Sequence, residues 1–227
     1  MNKETLKDII DWDVVNWSKA INYWEEEFDF KNKKFECLEI GGRKGGLSLW
    51  LAMKGGNVIC SDLESPEKYA CEVHKKYECS KSIHYKSIDA TNIPYENNFD
   101  IVAFKSILGG ISRGGNNKMQ QKVVDEIYKS LKVNGVLLFA ENLEASFLHK
   151  VLRKKFVNWG SEWNYLKSEE VEALFSSFKS VKFITVGFLG AFGRTERQRT
   201  VLAKFDYFFE KIVPEKTRYI LIGIAVK

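Results

Sequence analysis

The residues best suited to chemistry lie in a glycine-rich segment that follows a short apolar run. Residues 35–50 read FECLEIGGRKGGLSLW, with the acid Glu39 just before two glycine pairs that enclose Arg43 and Lys44. Glycines let a backbone turn tightly and approach a ligand closely. A loop that ends a strand and opens a helix is typical of a site for a nucleotide-like ligand. The segment therefore predicts a ligand-binding loop.

The spacing of the glycines argues against two common phosphate-binding loops. A loop of the G-x-x-x-x-G-K-[ST] type needs a lysine after its second glycine, whereas Gly46 is followed by Leu47 and Ser48. A dinucleotide fingerprint of the G-x-G-x-x-G type needs a glycine where Arg43 stands. The first motif is absent and the second is weak, which disfavours a nicotinamide-dependent oxidoreductase but leaves it as an alternative.

Strands and helices alternate around this loop along the first two thirds of the sequence. Residues 4–28 carry apolar residues at helical spacing, and another helix is predicted from about Gly46 to Lys54. Five predicted strands read CLEI, GGNVICSD, SIHYKSID, FDIVAFKS and NGVLLFAEN. The last third contains a capped helix in SEEVEALFSSF, strands in VKFITVGFL and RYILIGIAVK, and a helical segment in TVLAKFDYFFEKIVP. The alternation indicates a parallel sheet with helices on both faces.

The segment CLEIGGRKGGLSLWLAMKGGNVICSD resembles the first two motifs of class I S-adenosylmethionine-dependent methyltransferases, of the type 11 kind. Those motifs place an acid before glycines at alternate positions. Glu39 matches the acid, and Gly41 and Gly45 match the first and third glycines. Arg43 stands at the second glycine position, where this sequence departs from the family. Further along, SIDATNIPYENNFDIV, FDIVAFKSILGGI and LKVNGVLLFAEN resemble later motifs of the family in the same order.

The resemblance implies a fold, a cofactor and a set of binding residues. The implied fold is α/β and Rossmann-like, with a seven-stranded, mostly parallel sheet, an antiparallel last strand and helices on both faces. The implied cofactor is S-adenosylmethionine. In the family, the acid matched by Asp62 accepts hydrogen bonds from the ribose, and the acid matched by Asp89 meets the adenine. The implied cofactor-binding residues are Glu39, Gly41, Gly42, Arg43, Gly45, Asp62, Leu63, Asp89, Ala90 and Lys105.

The chain divides by prediction into an N-terminal helical cap at residues 1–33 and a methyltransferase domain at residues 34–227. Residues 145–165 form a candidate lid after the fifth strand. The lid region is rich in aromatic residues, whose faces stack on sugar rings or form a core for the lid, namely Phe147, Phe156, Trp159, Trp163 and Tyr165. The basic run at residues 149–155 suits either a solvated helix face or a contact for phosphates or anionic lipid heads.

Three side chains are candidates for a catalytic role in methyl transfer to a hydroxyl, which requires removal of a proton. Glu141 ends the fifth predicted strand, His149 follows it, and Lys105 lies at the exit of the fourth strand. Lys105 also suits binding of an anionic substrate group, as do Arg194 and Arg197. A structural role stays an alternative for each. No metal site is expected, because the four cysteines form no CxxC pair and no histidine stands at ligand spacing.

The residues that follow the fourth predicted strand narrow the class of molecule that could accept the methyl group. Nucleic-acid and protein N-methyltransferases often carry an Asn/Asp-Pro-Pro-Tyr/Phe tetrapeptide there, whereas residues 105–108 read KSIL. No long basic stripe with interleaved aromatics is present, so no nucleic-acid partner is expected. The wording EIGGRKGGLSLWLAMKGG, FKSILGGI and GFLGAFGR resembles methyltransferases of bacterial surface-polysaccharide gene clusters. That resemblance implies O-methylation of a sugar or a lipid-linked saccharide. A non-catalytic scaffold protein with the same fold is the main alternative.

Composition places the chain among ordinary globular proteins. Its 227 residues carry a net charge of +5, with 44% hydrophobic residues. The start MNKETLKDII lacks the basic and apolar blocks of a signal peptide, and no apolar run approaches membrane-spanning length. We therefore expect a cytoplasmic protein with reduced thiols, in which Cys37 and Cys60 are core residues. Residues 201–213 suit a helix packed on the domain or, alternatively, peripheral contact with a membrane. The sequence predicts no oligomeric state.

Overall fold

The structure is a computed structural model that describes residues 1–31, 34–156 and 162–227. The strands are β1 (Phe35–Ile40), β2 (Gly56–Asp62), β3 (Ile83–Ser87), β4 (Phe99–Lys105), β5 (Leu131–Asn142), β6 (Ser180–Val186) and β7 (Ile220–Val226). The α-helices are α1 (Lys3–Ile10), α2 (Val14–Trp17), α3 (Lys19–Glu27), α4 (Gly46–Met53), α5 (Glu67–Lys76), α6 (Leu108–Ile111), α7 (Asn117–Ser130), α8 (Phe147–Phe156), α9 (Val171–Leu174) and α10 (Glu196–Phe209).

The strands form one seven-stranded sheet in the order β3-β2-β1-β4-β5-β7-β6. Strand β7 runs antiparallel to both of its neighbours, while the pairs among β1 to β5 are parallel. The predicted α/β sheet with an antiparallel last strand is therefore confirmed. The strand order reverses between β1 and β4, and ligands of open α/β sheets bind at such a switch point. The predicted loop after β1 lies there.

The sheet is covered on both faces by apolar side chains. One face packs against α1, α3 and α4, with Trp17, Trp24 and Trp50 fully buried. The other packs against α7 and α9, around Phe104 and Phe139. Cys37 and Cys60 are buried in the sheet as predicted, and burial raises the pKa of both thiols. Two buried layers on a central sheet fix the strand ends that build the site.

The N-terminal segment departs from the single helix that periodicity predicts over residues 4–28. It forms α1, α2 and α3, with breaks at Asp11–Asp13 and at Ser18. Asp11 and Asp13 both adopt positive φ, at 72° and 46°, which a continuing helix cannot contain. A buried network holds this break, since Asp13 accepts from the Tyr219 hydroxyl and donates its N–H to Glu196. Burial raises the pKa of Asp13 to about 7.

The last third also differs from its sequence pattern. The capped helix predicted in SEEVEALFSSF is a short 3₁₀ turn at Ser168–Glu170 followed by α9. Helix α10 is present, and Ala203 packs on the domain, but the larger residues Val201, Phe205 and Phe208 are about half exposed or more. Residues 157–161 of the candidate lid, with Trp159, lie outside the described residues, as does the predicted domain boundary at residue 33. Among the described residues, no helix combines the length and apolar character required to cross a membrane.

Candidate functional site

The loop after β1 makes two tight left-handed turns. Gly41 has φ of 68° and Gly45 has φ of 69°, conformations in which a side chain is strained. Arg43, at the position where the family has a second glycine, also adopts positive φ, at 43°. Its N–H donates to an Asp62 carboxylate oxygen at 3.0 Å. The backbone thus follows a glycine-like path at Arg43, and the long side chain is accommodated because it is exposed.

Glu39 ties the end of β1 to the first turn of α4. Its buried carboxyl accepts hydrogen bonds from the N–H of Leu47 at 3.1 Å and the N–H of Ser48 at 2.9 Å, and bonds to the Ser48 hydroxyl. These are donors that the start of a helix leaves without intrahelical partners. Burial raises the pKa of Glu39 to about 7 in spite of these bonds. Glu39 therefore fixes the loop by bonding the end of β1 to the first turn of α4.

Asp62 ends β2 with its carboxylate half-buried beside the loop. One oxygen accepts from Arg43, and the other accepts from the Leu63 N–H at 2.7 Å. An ionised carboxylate offers about four acceptor positions, so capacity is left for a ligand hydroxyl. Asp89 is exposed and caps a turn, accepting from the Thr91 N–H and hydroxyl at 2.8 Å. Both acids stand at the ends of neighbouring strands.

Two adjoining cavities meet at this loop and form a single cleft. The N-terminal cavity, of about 370 Å³, is lined by residues 8–12 together with Glu39, Gly42, Lys44 and Lys105. The strand-end cavity, of about 560 Å³, is lined by Asp62, Leu63, Asp89, Ala90 and Thr91. Both cavities are lined by Gly41, Arg43, Ser106, Arg113 and Trp163. The structure thus brings all of the predicted cofactor-binding residues except Gly45 together around one cleft.

Gly45 differs from the other predicted binding residues because it faces away from the cleft. A Cβ on Gly45 would lie 2.5 Å from the His74 ring, which packs directly against it. The Gly45 carbonyl bonds to Nε2 of His74 at 2.8 Å, and Nδ1 of the same ring bonds to the Tyr85 hydroxyl. Gly45 therefore fixes the loop against α5 and β3.

Lys105 reaches the N-terminal cavity from the end of β4. Its ammonium donates to the Ile10 carbonyl at 2.9 Å and lies 4.9 and 5.0 Å from the ring centroids of Trp12 and Trp17. Burial lowers the pKa of Lys105 to about 8, because the charged form loses its hydration. Of the three predicted catalytic side chains, it is the one that lines the cleft.

Glu141 lies beneath the cleft and binds backbone. Its carboxyl accepts from the N–H groups of Ile107 at 2.9 Å, Leu108 at 2.8 Å and Asn142 at 2.8 Å. The side chain is fully buried, and burial raises its pKa to about 7. Glu141 thereby holds the chain that leaves β4 past Ser106, another residue with positive φ. These contacts suit a role for Glu141 in positioning the backbone that forms the wall of the cleft.

His149 lies in a different cavity. This arginine pocket, of about 430 Å³, is lined by His149, Leu152, Arg153, Ala191, Phe192, Gly193, Arg194 and Arg199. The imidazole is buried between the Ser146 hydroxyl, 2.7 Å from Nδ1, and the Phe188 carbonyl, 2.8 Å from Nε2. Burial lowers its pKa to about 4, which keeps the ring neutral. His149 is not among the residues that line the cleft.

Sequence reasoning predicted an N-terminal cap but did not identify the residues through which that segment contributes to the site. Asp11 and Trp12 line the cleft, and Arg113 closes it from the 3₁₀ turn after α6. Lys44 of the loop pairs with Asp11 at 2.7 Å. No motif marks these residues, and Trp12 fits an ordinary apolar helix face. Trp163, expected in the lid, lines the cleft against Gly109 and Gly110, where a Cβ would overlap the indole.

Comparison with known proteins agrees with this geometry. The family model described as "Methyltransferase domain" matches residues 38–139. Residues 38–139 therefore match a methyltransferase domain, a kind of domain whose cofactor is S-adenosylmethionine. No protein of curated function matches the sequence.

Solved structures share the fold of this chain at low sequence identity. Phosphoethanolamine N-methyltransferase 2 of Haemonchus contortus, in complex with S-adenosyl-L-methionine, is 16% identical with a TM-score of 0.61. The alignment covers 93% of this chain and 52% of that one, so the chain spans about half of that protein. The PH0226 protein of Pyrococcus horikoshii OT3 is 16% identical with a TM-score of 0.63, covering 92% and 89% of the two chains. The [4+2]-cyclase SpnF is 15% identical with a TM-score of 0.62, covering 92% and 79%. The fold therefore hosts more than one reaction.

Proposed function

We propose that the protein transfers a methyl group from S-adenosylmethionine to a hydroxyl of a sugar or lipid-linked saccharide. The observation that carries this proposal is the cleft. Its strand-end cavity presents acceptors suited to an adenosine, and its N-terminal cavity combines aromatic faces with a buried amine. The bound cofactor supplies an activated methyl group on a good leaving group. The protein has to hold the acceptor in line with it and remove a proton.

The residues of the cleft fit the cofactor. Asp62 would accept hydrogen bonds from the ribose hydroxyls, and Leu63, Asp89 and Ala90 would surround the adenine. The methionine part of the cofactor carries an ammonium and a carboxylate group. The N-terminal cavity offers acidic side chains such as Asp11 beside basic side chains of the glycine-rich loop. Gly41 in its left-handed conformation lets the loop pack against Ile107, since a Cβ there would lie 2.5 Å from the Ile107 side chain. These proposed roles are supported by the chemical groups of the side chains and by their positions around the cleft.

The N-terminal cavity supports a saccharide acceptor. Trp12 and Trp163 both line it, and indole faces stack on sugar rings while polar groups read the hydroxyls. Lys105 stands among them with a pKa lowered to about 8, so a fraction of it is neutral amine near neutral pH. We assign Lys105 the part of general base, Glu141 a positioning part and His149 no contact with the acceptor. Binding of an anionic sugar group by Lys105 is the alternative to the base role.

We further propose that the protein is a cytoplasmic enzyme of polysaccharide biosynthesis, with residues 1–33 as a cap over the site. Free thiols support the compartment, since Cys37, Cys60, Cys71 and Cys79 are all unpaired. The cap is supported by α1, whose C-terminal end lines the N-terminal cavity. Residues 145–165 as a lid remain a proposal of the same kind, supported by Trp163 at the cleft.

Asp62→Ala is expected to weaken binding of S-adenosylmethionine by on the order of 1–3 kcal/mol, because the ribose loses an ionised acceptor. Isothermal titration with S-adenosylmethionine, S-adenosylhomocysteine and NAD measures it. Asp62→Asn keeps an acceptor for the Arg43 N–H and separates loop geometry from ligand contact. Glu64→Ala removes an exposed acid nearby and should change nothing. Equal affinity of Asp62→Ala and the wild type would refute the ribose assignment. Failure of all three ligands to bind the wild type would favour the scaffold alternative, and binding of NAD would favour an oxidoreductase.

The affinity for S-adenosylmethionine relative to S-adenosylhomocysteine is expected to rise roughly fivefold as pH increases through about 8, an effect of about 1 kcal/mol for two partly screened charges within ~10 Å. Below that pH, Lys105 is an ammonium that repels the sulfonium, whereas the neutral thioether is unaffected. Above it, the amine is uncharged and the repulsion is gone. Titrations of both ligands from pH 6 to 9 measure the ratio. Lys105→Met removes the titrating group and reports any titration of the ligands themselves, so a ratio with the same pH dependence in that variant would contradict the prediction.

A further inference from the structure

Helix α10 presents its apolar residues to solvent. Val201, Phe205, Phe208 and Ile212 recur at intervals of four, three and four residues, which places them along one side of the helix and its C-terminal extension. They are 49%, 53%, 63% and 80% exposed. We call these four residues the apolar stripe. Exposed apolar residues scattered singly are ordinary, whereas a contiguous row of large ones marks an interaction surface.

The opposite side of α10 carries acids that bind the domain, which fixes the outward direction of the stripe. Glu196 accepts from the N–H groups of Asp13 and Val14, both at 2.8 Å. Asp206 is buried and accepts from two backbone N–H groups, of Leu189 and Gly190. Just after the helix, Glu210 pairs with Lys19 at 2.6 Å. These three acids therefore anchor α10 to the domain. Turning the stripe inward would break their hydrogen bonds and the ion pair.

The exposed charges around the stripe are mostly cationic. Arg194, Arg197, Lys204, Lys211 and Lys216 are all exposed in the segment that contains α10, and Glu215 is the exposed acid among them. The arginine pocket opens beside the start of the stripe, because a neighbouring cavity lined by Arg194, Arg197 and Val201 shares Phe192 and Gly193 with it. With Glu196, Asp206 and Glu210 turned toward the domain, this face combines an apolar row with a mainly positive rim.

A second exposed apolar group lies on α8, which, like α10, contacts the 3₁₀ turn at Gly190–Phe192. Phe147, Leu148 and Val151 are 80%, 49% and 43% exposed, and Lys150 is exposed between them. His149 on the inner side of α8 bonds to the Phe188 carbonyl, and the Phe188 ring stacks on Phe209 of α10 at 6.3 Å. Phe188 thus contacts both α8 and α10.

We propose that α10 docks on the surface of a membrane that contains anionic lipid, with the apolar stripe in the headgroup region and the cationic rim against lipid phosphates. Charge complementarity selects this occupant, because apolar rows flanked by lysine and arginine bind anionic interfaces. A second copy fits less well. A twofold interface uses the same patch on both subunits and would bring the cations of the two rims together. The proposal is independent of the methyl-transfer reaction.

Vesicle co-sedimentation tests the proposal with the full chain and no cofactor or acceptor present. We expect binding to phosphatidylcholine vesicles containing roughly a third phosphatidylglycerol, and much weaker binding to pure phosphatidylcholine or in about 0.5 M salt. Phe205→Ser combined with Phe208→Ser should weaken binding at least about tenfold. The matched control is Tyr69→Ser with Val133→Ser, which changes two exposed apolar residues elsewhere and should bind as the wild type does.

A charge pair of variants separates local contact from net charge. Arg197→Glu with Lys204→Glu should weaken binding at least about fivefold, whereas Lys81→Glu with Lys118→Glu, which alters the net charge equally at exposed sites elsewhere, should leave it nearly unchanged. All of these substitutions are at exposed positions, and thermal unfolding confirms that each variant is folded. The proposal is overturned if the wild type does not sediment with anionic vesicles, or if each variant binds like its control. It is also overturned if light scattering finds a dimer that the Phe205→Ser, Phe208→Ser variant makes monomeric, since the face would then belong to a second copy.

Discussion

Glu39→Ala is expected to lower the free energy of unfolding by roughly 3–5 kcal/mol, and the melting temperature by roughly 10 °C. The substitution strands three buried groups at the start of α4: the N–H of Leu47 and both the N–H and hydroxyl of Ser48. A buried donor without a partner costs about 1–3 kcal/mol. Because Glu39 also lines the cleft, the same variant should lose affinity for S-adenosylmethionine.

Glu39→Gln is the matched variant. Its amide oxygen still accepts from the helix start, while its NH₂ group cannot accept, so about half of the loss is expected. Urea unfolding monitored by tryptophan fluorescence gives the free energies of both variants. Wild-type stability for Glu39→Ala would show that the carboxyl does not hold the start of α4, and the loop geometry described above would then be wrong.

The sheet and the loop were predictable because their signals are local. Each strand is a short apolar run bounded by turn residues, and the order of strands and helices leaves few topologies for a parallel sheet. The acid at position 39 and the glycines that follow identify the loop because a tight turn beside a ligand restricts residue types. Arg43 shows the limit of that argument, since a non-glycine residue takes the left-handed conformation there at a modest cost.

The contents of the cleft were less predictable because they depend on distant contacts. Ile10 and Trp12 reach the site through the bond to Lys105 and through a break in the chain at Asp11–Asp13, neither of which periodicity reveals. Position at a strand end indicated Glu141 and Lys105 equally. The structure shows that one points under the cleft wall and the other into the cleft, a difference of side-chain direction that sequence does not encode.

Helix α10 makes the same point for packing. Its apolar spacing is visible in the sequence, and the usual inference is that such a stripe faces the core. Here the acids Glu196 and Asp206 face inward, because they accept hydrogen bonds from backbone N–H groups at the start of α2 and in the turn before α10. Periodicity gives the existence of a face, and the partners of the opposite face decide which way it turns.

Gly46→Ala is expected to lower the free energy of unfolding by about 2–3 kcal/mol and to detach the N-terminal segment from the cleft. A Cβ on Gly46 would lie 1.9 Å from the Ile9 carbonyl oxygen and 2.7 Å from its carbon, so backbone has to move. In an isolated helix the same change would be favourable by about 1 kcal/mol, because alanine is the better helix former. A net loss therefore measures how firmly α1 is seated on α4.

Three measurements on Gly46→Ala together test that seating. Hydrogen exchange at residues 9–12 should accelerate, and the free energy of unfolding should fall. S-adenosylmethionine should bind more weakly, because the segment lines the N-terminal cavity. Gly115→Ala is the control: its Cβ would meet open space, so its left-handed φ alone costs about 1 kcal/mol, with no change in exchange at residues 9–12. If Gly46→Ala instead matched the wild type in exchange and stability, α1 would not be packed on the start of α4. The residues of α1 would then have no place in the wall of the cleft.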